Sequence, residues 1–196
     1  MSVHVLGLDR PVGLAPVADA RVHARHRDLR FRLAVLAHSV QEAVESAGGL
    51  ICDRAMNGWH VTVVATDLRH ANSMQILGAD VVDFNEALSV RGRGPQPHAL
   101  ALSVGLLREQ PQVRNELMDT IKQGRTEVAM WGSEWPSEME GLVTSVEHRL
   151  TAAALAFKAQ ALLAGANSTV ASRNEVFRMG RVCSSSPWPQ DLAPAI

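Results

Sequence analysis

With 196 residues, 19 basic against 20 acidic side chains, and 46% hydrophobic content, the chain has the make-up of one globular domain rather than a disordered segment. A net charge of −1 argues against general nucleic-acid binding, which leans on many phosphate contacts. No apolar run reaches the roughly 18 residues of a membrane span, and the first thirty residues show no basic-then-apolar leader, so a cytoplasmic protein is expected.

Residues 1–30 read as an N-terminal extension, with the basic run RVHARHRDLR (21–30) as a solvated arm. FRLAVLA (31–37) reads as a buried strand, and a helical pattern follows from Val40 to Asn57, stopped by Gly58. WHVTVVAT (59–66) is rich in β-branched residues and reads as a second strand. LRHANSMQIL (68–77) reads as a helix ended by Gly78, and ADVVDF (79–84) as a third strand. RGRGPQPH (91–98) is a loop, punctuated by glycine and proline. ALALSVGLL (99–107) and VRNELMDTIKQ (113–123) read as helices, TEVAMW (126–131) as a fourth strand, and WGSEWPSE (131–138) as a loop. Residues 139–165 read as one long alanine-rich helix, 174–179 as a last strand, and the proline-rich 183–196 as a loose tail. The β-α-β-α-β order implies right-handed crossovers, hence a Rossmann-like three-layer α/β sandwich with a mostly parallel sheet over 31–180.

Several features carry structural readings. Two cysteines, Cys52 and Cys183, fit a reducing compartment and have no metal-type spacing. Two lysines among 17 arginines point to a GC-rich coding bias. Gly48 and Gly49 lie inside a helix, each costing about 1 kcal/mol against alanine, so close packing against the sheet must compensate. His60 is read as structural, His70 and His98 as exposed.

In an open parallel sheet, ligands bind at the carboxyl ends of strands, which singles out the loop after the first strand. Its residues, Ala37-His38-Ser39-Val40-Gln41-Glu42, are followed by Ala47-Gly48-Gly49-Leu50-Ile51 and then by Gly58-Trp59-His60-Val61-Thr62-Val63-Val64. This layout resembles the opening of the PIG-L/LmbE-like deacetylases, which hydrolyse N-acetyl groups with zinc, typically on glucosamine-containing substrates. Their motif is His-Pro-Asp-Asp-Glu, then a helix with Ala-Gly-Gly and a Gly-His-x-Val-x-Val-Val strand. Leu77-Gly78-Ala79-Asp80, the strand 127–131, and the closing helix and strand extend the likeness over about 31–180.

The resemblance implies roles that this sequence fills only in part. The family's histidine and second aspartate bind zinc, and its first aspartate is the general base. Here His38 and Glu42 stand at matching positions, while Ser39 replaces the proline, Val40 the base and Gln41 the ligand. The family's second motif, His-Pro-Asp-His, has no match in 131–140. Aligning it with Ser145-Val146-Glu147-His148 saves one ligand, His148, inside a helical pattern. A hydrolytic zinc needs three protein ligands, and a lost base removes about 10²–10⁴-fold in rate.

The expected function is therefore non-hydrolytic binding of a small molecule or protein partner, without a cofactor. The pocket would be formed by His38, Ser39, Gln41, Glu42, Trp131, Glu134 and Trp135, the tryptophans offering faces for a sugar or for the core. The alternative is a diverged zinc-dependent amidase acting on an acylated amino sugar, recruiting Glu42, Glu134, Glu138 or His148 beside His38. Glu134, Glu138, Glu140, Glu147 and His148 read more simply as a solvated face. No nucleic-acid or membrane partner is expected. The apolar face of 139–165 packs on the sheet, or else pairs with a second copy or an intact paralogue.

Overall fold

Short runs of β-branched and small apolar residues alternate with helices along this chain, and the strands send their buried side chains into two cores, one on each face of the sheet. The computed structural model describes residues 30–89, 96–124, 126–133, 135–136, 139, 141, 143–165, 170–180 and 192–194. The N-terminal extension up to residue 29, most of RGRGPQPH, and Glu134, Glu138 and Glu140 lie outside the described residues. β1 (Arg32–Ser39) leads into α1 (Val40–Met56), β2 (His60–Asp67) into α2 (Asn72–Ile76), and β3 (Asp80–Asp83) into α3 (Phe84–Ser89). β4 (Ala99–Ser103) is followed by α4 (Val104–Glu109) and α5 (Pro111–Gln123). β5 (Glu127–Trp131), β6 (Val143–Arg149), α6 (Ala152–Ala164), β7 (Asn174–Gly180) and β8 (Leu192–Pro194) complete the order.

The strands form one eight-stranded sheet in the order β3-β2-β1-β4-β5-β7-β6-β8. The pairs from β3 through β5 are parallel, and those joining β5, β7, β6 and β8 are antiparallel. On β1, Leu33, Val35 and Ala37 are buried in a core shared with α1 and α6. The second core gathers Phe84 of α3, Leu106 and Leu107 of α4, and Val113 and Leu117 of α5 on the opposite face. Helices therefore cover both faces, which gives the three layers expected of βαβ crossovers.

Three readings of the sequence differ from the structure. Residues 99–107 are not one helix: ALALS is β4 and α4 begins at Val104. β4 lies between β1 and β5 and is buried or partly buried throughout, so it shows no two-residue alternation to separate strand from helix. The long helix 139–165 is divided. Val143, Thr144 and Val146 favour extended backbone and build β6, and Thr151 then starts α6 by accepting the Ala154 N–H with its hydroxyl at 3.0 Å. The tail also joins the sheet, where Leu192–Pro194 adds β8 to the edge strand β6.

Smaller differences follow from packing. The second helix is confined to Asn72–Ile76. His98 is half-buried rather than exposed: its Nδ1 accepts the Arg32 N–H at 3.1 Å and its ring stands edge-on to Phe31. Burial pushes the pKa of His98 down. His60 pairs with Asp80 across β2 and β3 at 3.1 Å, in keeping with a structural role. α6 turns Ala154, Lys158, Ala161 and Leu162 inward and leaves Phe157 and Leu163 exposed.

Candidate functional site

Parallel register gathers the strand ends on one edge of the sheet. Ser39 stands opposite Asp67 at the ends of β1 and β2, and Ser103 opposite Trp131 at the ends of β4 and β5. At this edge α1 begins. Ser39 is its N-cap, extended at φ −140° and ψ 157°, with its hydroxyl accepting the Glu42 N–H at 3.0 Å. The Glu42 carboxylate reaches back to accept the His38 N–H at 2.9 Å, an arrangement close to a capping box but shifted by one residue. Its other oxygen accepts the Trp131 indole N–H at 3.1 Å. The Thr66 hydroxyl donates to the His38 carbonyl at 2.5 Å. Glu42 thus ties the first turn of α1 to both β1 and β5.

His38 projects outward, its side chain 58% exposed, with Nδ1 3.2 Å from the equally open Glu109 at the end of α4. This pair spans the ends of β1 and β4, where the strand order reverses and where ligands of open α/β sheets bind. Val40 is 0% exposed and sits in the core. Gln41 donates through Nε2 to the Glu45 carboxylate at 3.2 Å.

Beside this loop lies an open cleft of about 310 Å³, lined by Ser39, Gln41, Glu42, Glu45, Asp67, Arg69 and His70. Asp67 and Arg69 form a forked pair: Nε donates to Oδ2 at 2.8 Å, Nη2 to the same oxygen at 2.5 Å, and the Arg69 backbone N–H to Oδ1 at 2.9 Å. Hydrogen bonds from the Arg69 side chain, then its backbone, hold the Asp67 carboxyl down at about 2. His70 has φ +63°, the left-handed region that non-glycine residues seldom occupy.

Of the residues singled out from the sequence, Ser39, Gln41 and Glu42 line the cleft, whereas His38 does not line it and pairs with Glu109. Trp131 is buried, stands edge-on to Phe177 and reaches Glu42 only through its indole N–H. Trp135 lies under the Arg178 guanidinium, 4.4 Å from the ring centroid. Glu134 is outside the described residues. His148 is elsewhere: it is buried on β6 with Nε2 3.0 Å from Asp53. Asp53 lies three turns along α1 from Glu42, about 16 Å at 1.5 Å per residue. Glu45, Asp67, Arg69, His70 and Glu109 were not singled out. Asp67 had one signal, its place at the carboxyl end of a parallel strand.

The zinc of the family motif does not fit the donors at this loop. Val40 has no donor atom and faces the core, Gln41 is a neutral amide engaged with Glu45, and both Glu42 oxygens accept hydrogen bonds. Among the described residues, no three His, Cys, Asp or Glu side chains stand where they could hold a metal ion.

No family model matches the chain, and no curated protein matches it by sequence. Solved structures do match in shape. They include the A40926 pseudoaglycone deacetylase Dbv21, with a TM-score of 0.56 and 13% identity over 80% of this chain and 100% of that one. A zinc-inhibited form of the teicoplanin deacetylase Orf2 gives a TM-score of 0.55 and 10% identity over 79% of this chain and 100% of the other. The conserved protein TT1542 from Thermus thermophilus gives 0.54 and 11% over 81% and 98%. The chain has the fold that TT1542 shares with the two deacetylases. That is the architecture implied by the likeness of residues 34–66 to the PIG-L/LmbE-like opening, and the site lies on the edge of the deacetylase fold where β1 passes into α1.

Proposed function

We propose that this protein uses the deacetylase fold to bind a small polar molecule in the cleft between the ends of β1 and β2, without zinc-dependent hydrolysis. One observation carries this reading: where the family motif has its base and its ligand aspartates, this chain has Val40, wholly buried in the core, and Gln41, a neutral amide bonded to Glu45. The loop that would hold a metal is instead a braced wall of a cleft. The Glu42 carboxylate agrees, since it accepts the His38 and Trp131 N–H groups and braces the loop.

The cleft favours a ligand with several hydroxyl or amine groups. Glu45 and Asp67 are acceptors, while Arg69 gives only part of its hydrogen-bonding capacity to Asp67 and retains donors for a ligand. The volume, about 310 Å³, is at the small end of ligand pockets and suits a monosaccharide rather than a whole glycopeptide. The glycopeptide deacetylases of the same fold suggest an amino sugar as the first compound to try.

The test is titration of the protein with glucosamine and N-acetylglucosamine, followed by calorimetry and by acetate release with and without added zinc. Saturable binding that Arg69→Ala abolishes, with no acetate formed, is expected. Acetate release that requires zinc and disappears in His38→Ala would overturn the reading in favour of a diverged amidase.

A further inference from the structure

Glu45 belongs to two environments. Its carboxylate lines the cleft and accepts from Gln41, while its backbone carbonyl accepts a hydrogen bond from Lys158 Nζ at 2.7 Å on the opposite side of α1. Lys158 is the single charged residue of α6, and it points inward, 2% exposed. Its ammonium also donates to Glu175 Oε1 of β7 at 2.6 Å. The same carboxylate accepts the Gly49 N–H at 2.7 Å and the Leu50 N–H at 2.9 Å.

These contacts fall in the middle of a helix, where backbone groups ordinarily satisfy one another. A regular ladder would give the Glu45 carbonyl to the Gly49 amide. Here an ammonium also meets that carbonyl and a carboxylate also meets that amide, within a helix that runs unbroken from Val40 to Met56. These bonds hold the middle of the helix at fixed points against α6 and β7. The two glycines make room for them. A Cβ at Gly48 would lie 3.3 Å from Lys158 Cγ, and one at Gly49 would lie 2.2 Å from Leu150 Cγ. The close packing that offsets their poor helix propensity is therefore against α6 and the residue leading into it, rather than against the sheet.

A buried ion pair is weak evidence of stability, because desolvation offsets its attraction and an apolar pair of similar volume often does as well. An apolar pair could not hold one carbonyl and two amides at fixed points. We propose that Lys158 and Glu175 are positioning residues for the cleft, setting the path of α1 from Gly48–Gly49 to the turn that carries Gln41, Glu42 and Glu45. The cleft's role as a ligand site rests on the reading above; the positioning itself is measurable without a ligand.

Trp131 supplies the readout, since its indole N–H is bonded to Glu42 one turn before Glu45. The experiment compares amide and indole resonances of the ¹⁵N-labelled full chain in Lys158→Met, in Lys158→Met/Glu175→Gln and in Leu162→Ala. Leu162→Ala removes an apolar core contact of the same helix and serves as the stability control. Both Lys158 variants are expected to shift the Trp131 indole and the Gln41 and Glu45 amides. The double variant, which leaves no uncompensated charge, regains most of the lost melting temperature but not the native resonances. It also binds glucosamine about tenfold more weakly than the native chain. Leu162→Ala loses melting temperature and leaves those signals in place. Native Trp131 and Gln41 resonances in the double variant, or equal shifts in Leu162→Ala, would overturn the proposal. If the native chain binds no glucosamine, the ligand reading fails while the resonance comparison still decides the positioning role.

Discussion

The two ends of α1 carry acidic side chains in opposite circumstances. In the first two turns, Glu42 and Glu45 border an open cleft beside the exposed His38–Glu109 pair. Toward the other end, Asp53 is sealed against His148 and accepts the Thr151 hydroxyl at 2.6 Å, next to the buried Lys158–Glu175 pair. Residue type alone does not separate the two groups. Burial does: where water is excluded, each charged group must be met by a partner with good geometry, and it becomes a tie between elements. Where water remains, such pairs are weak and the same side chains can be exchanged for a ligand.

That contrast predicts a gradient of effects along the helix. The largest belongs to Glu175→Leu, which leaves the buried Lys158 ammonium without its counter-charge and removes a carboxylate that accepts from the Gly49 and Leu50 amides. Urea titration should show a loss of about 3–5 kcal/mol. A loss no greater than that of an exposed pair would erase the distinction between the two ends. Next comes Gly49→Ala, whose new methyl would meet Leu150 at 2.2 Å, against 3.3 Å from Lys158 for Gly48→Ala. Thermal melts should place the first at about 1–3 kcal/mol of destabilisation. The second should be smaller, because a flexible lysine stem can yield and alanine recovers about 1 kcal/mol of helix propensity.

The smallest effect is expected at the cleft. Asp67 is held at about 2 by Arg69, below the ordinary carboxyl value of 3.8. A carboxyl depressed in the folded state favours folding above its unfolded pKa, and that contribution disappears as pH falls through the folded value. The group is partly exposed, at 29%, beside a largely exposed arginine, so little stability should follow it. A carboxyl-carbon titration by NMR should give a midpoint near 2, moving up toward 3.8 in Arg69→Ala. An unchanged midpoint in that variant would remove the forked pair as its cause.

Legibility in the sequence followed local pattern. β1, α1 and β2 were readable because FRLAVLA is a short apolar run, WHVTVVAT is rich in β-branched residues, and Gly58, at φ +83°, stops the helix between them. ALALS escaped notice because a strand covered on both faces has no polar alternation. β6 escaped because VTSVEHR runs into an alanine-rich helix with a single turn between them. Glu42 was readable as a first-turn acid, but its bond to Trp131 joins residues from separate strands' ends and has no local signature. Arg69 and His70 follow β2 in a stretch read as helix, so nothing in the chain announced that they face Gln41 and Glu45.

By itself the sequence determined the βαβ order, the stop and start of α1, and a likeness to the PIG-L/LmbE-like opening in which Val40 and Gln41 stand where that motif has aspartates. These depend on side-chain type and on spacing over a few residues, which a linear chain carries openly. Only tertiary structure decided that Ser39 would stand beside Asp67, that Glu42 would commit both oxygens as a brace, and that Lys158 would reach through to the Glu45 carbonyl. Those outcomes depend on strand register and on the exclusion of water between elements distant in sequence. Neither exists until the helices close over the sheet.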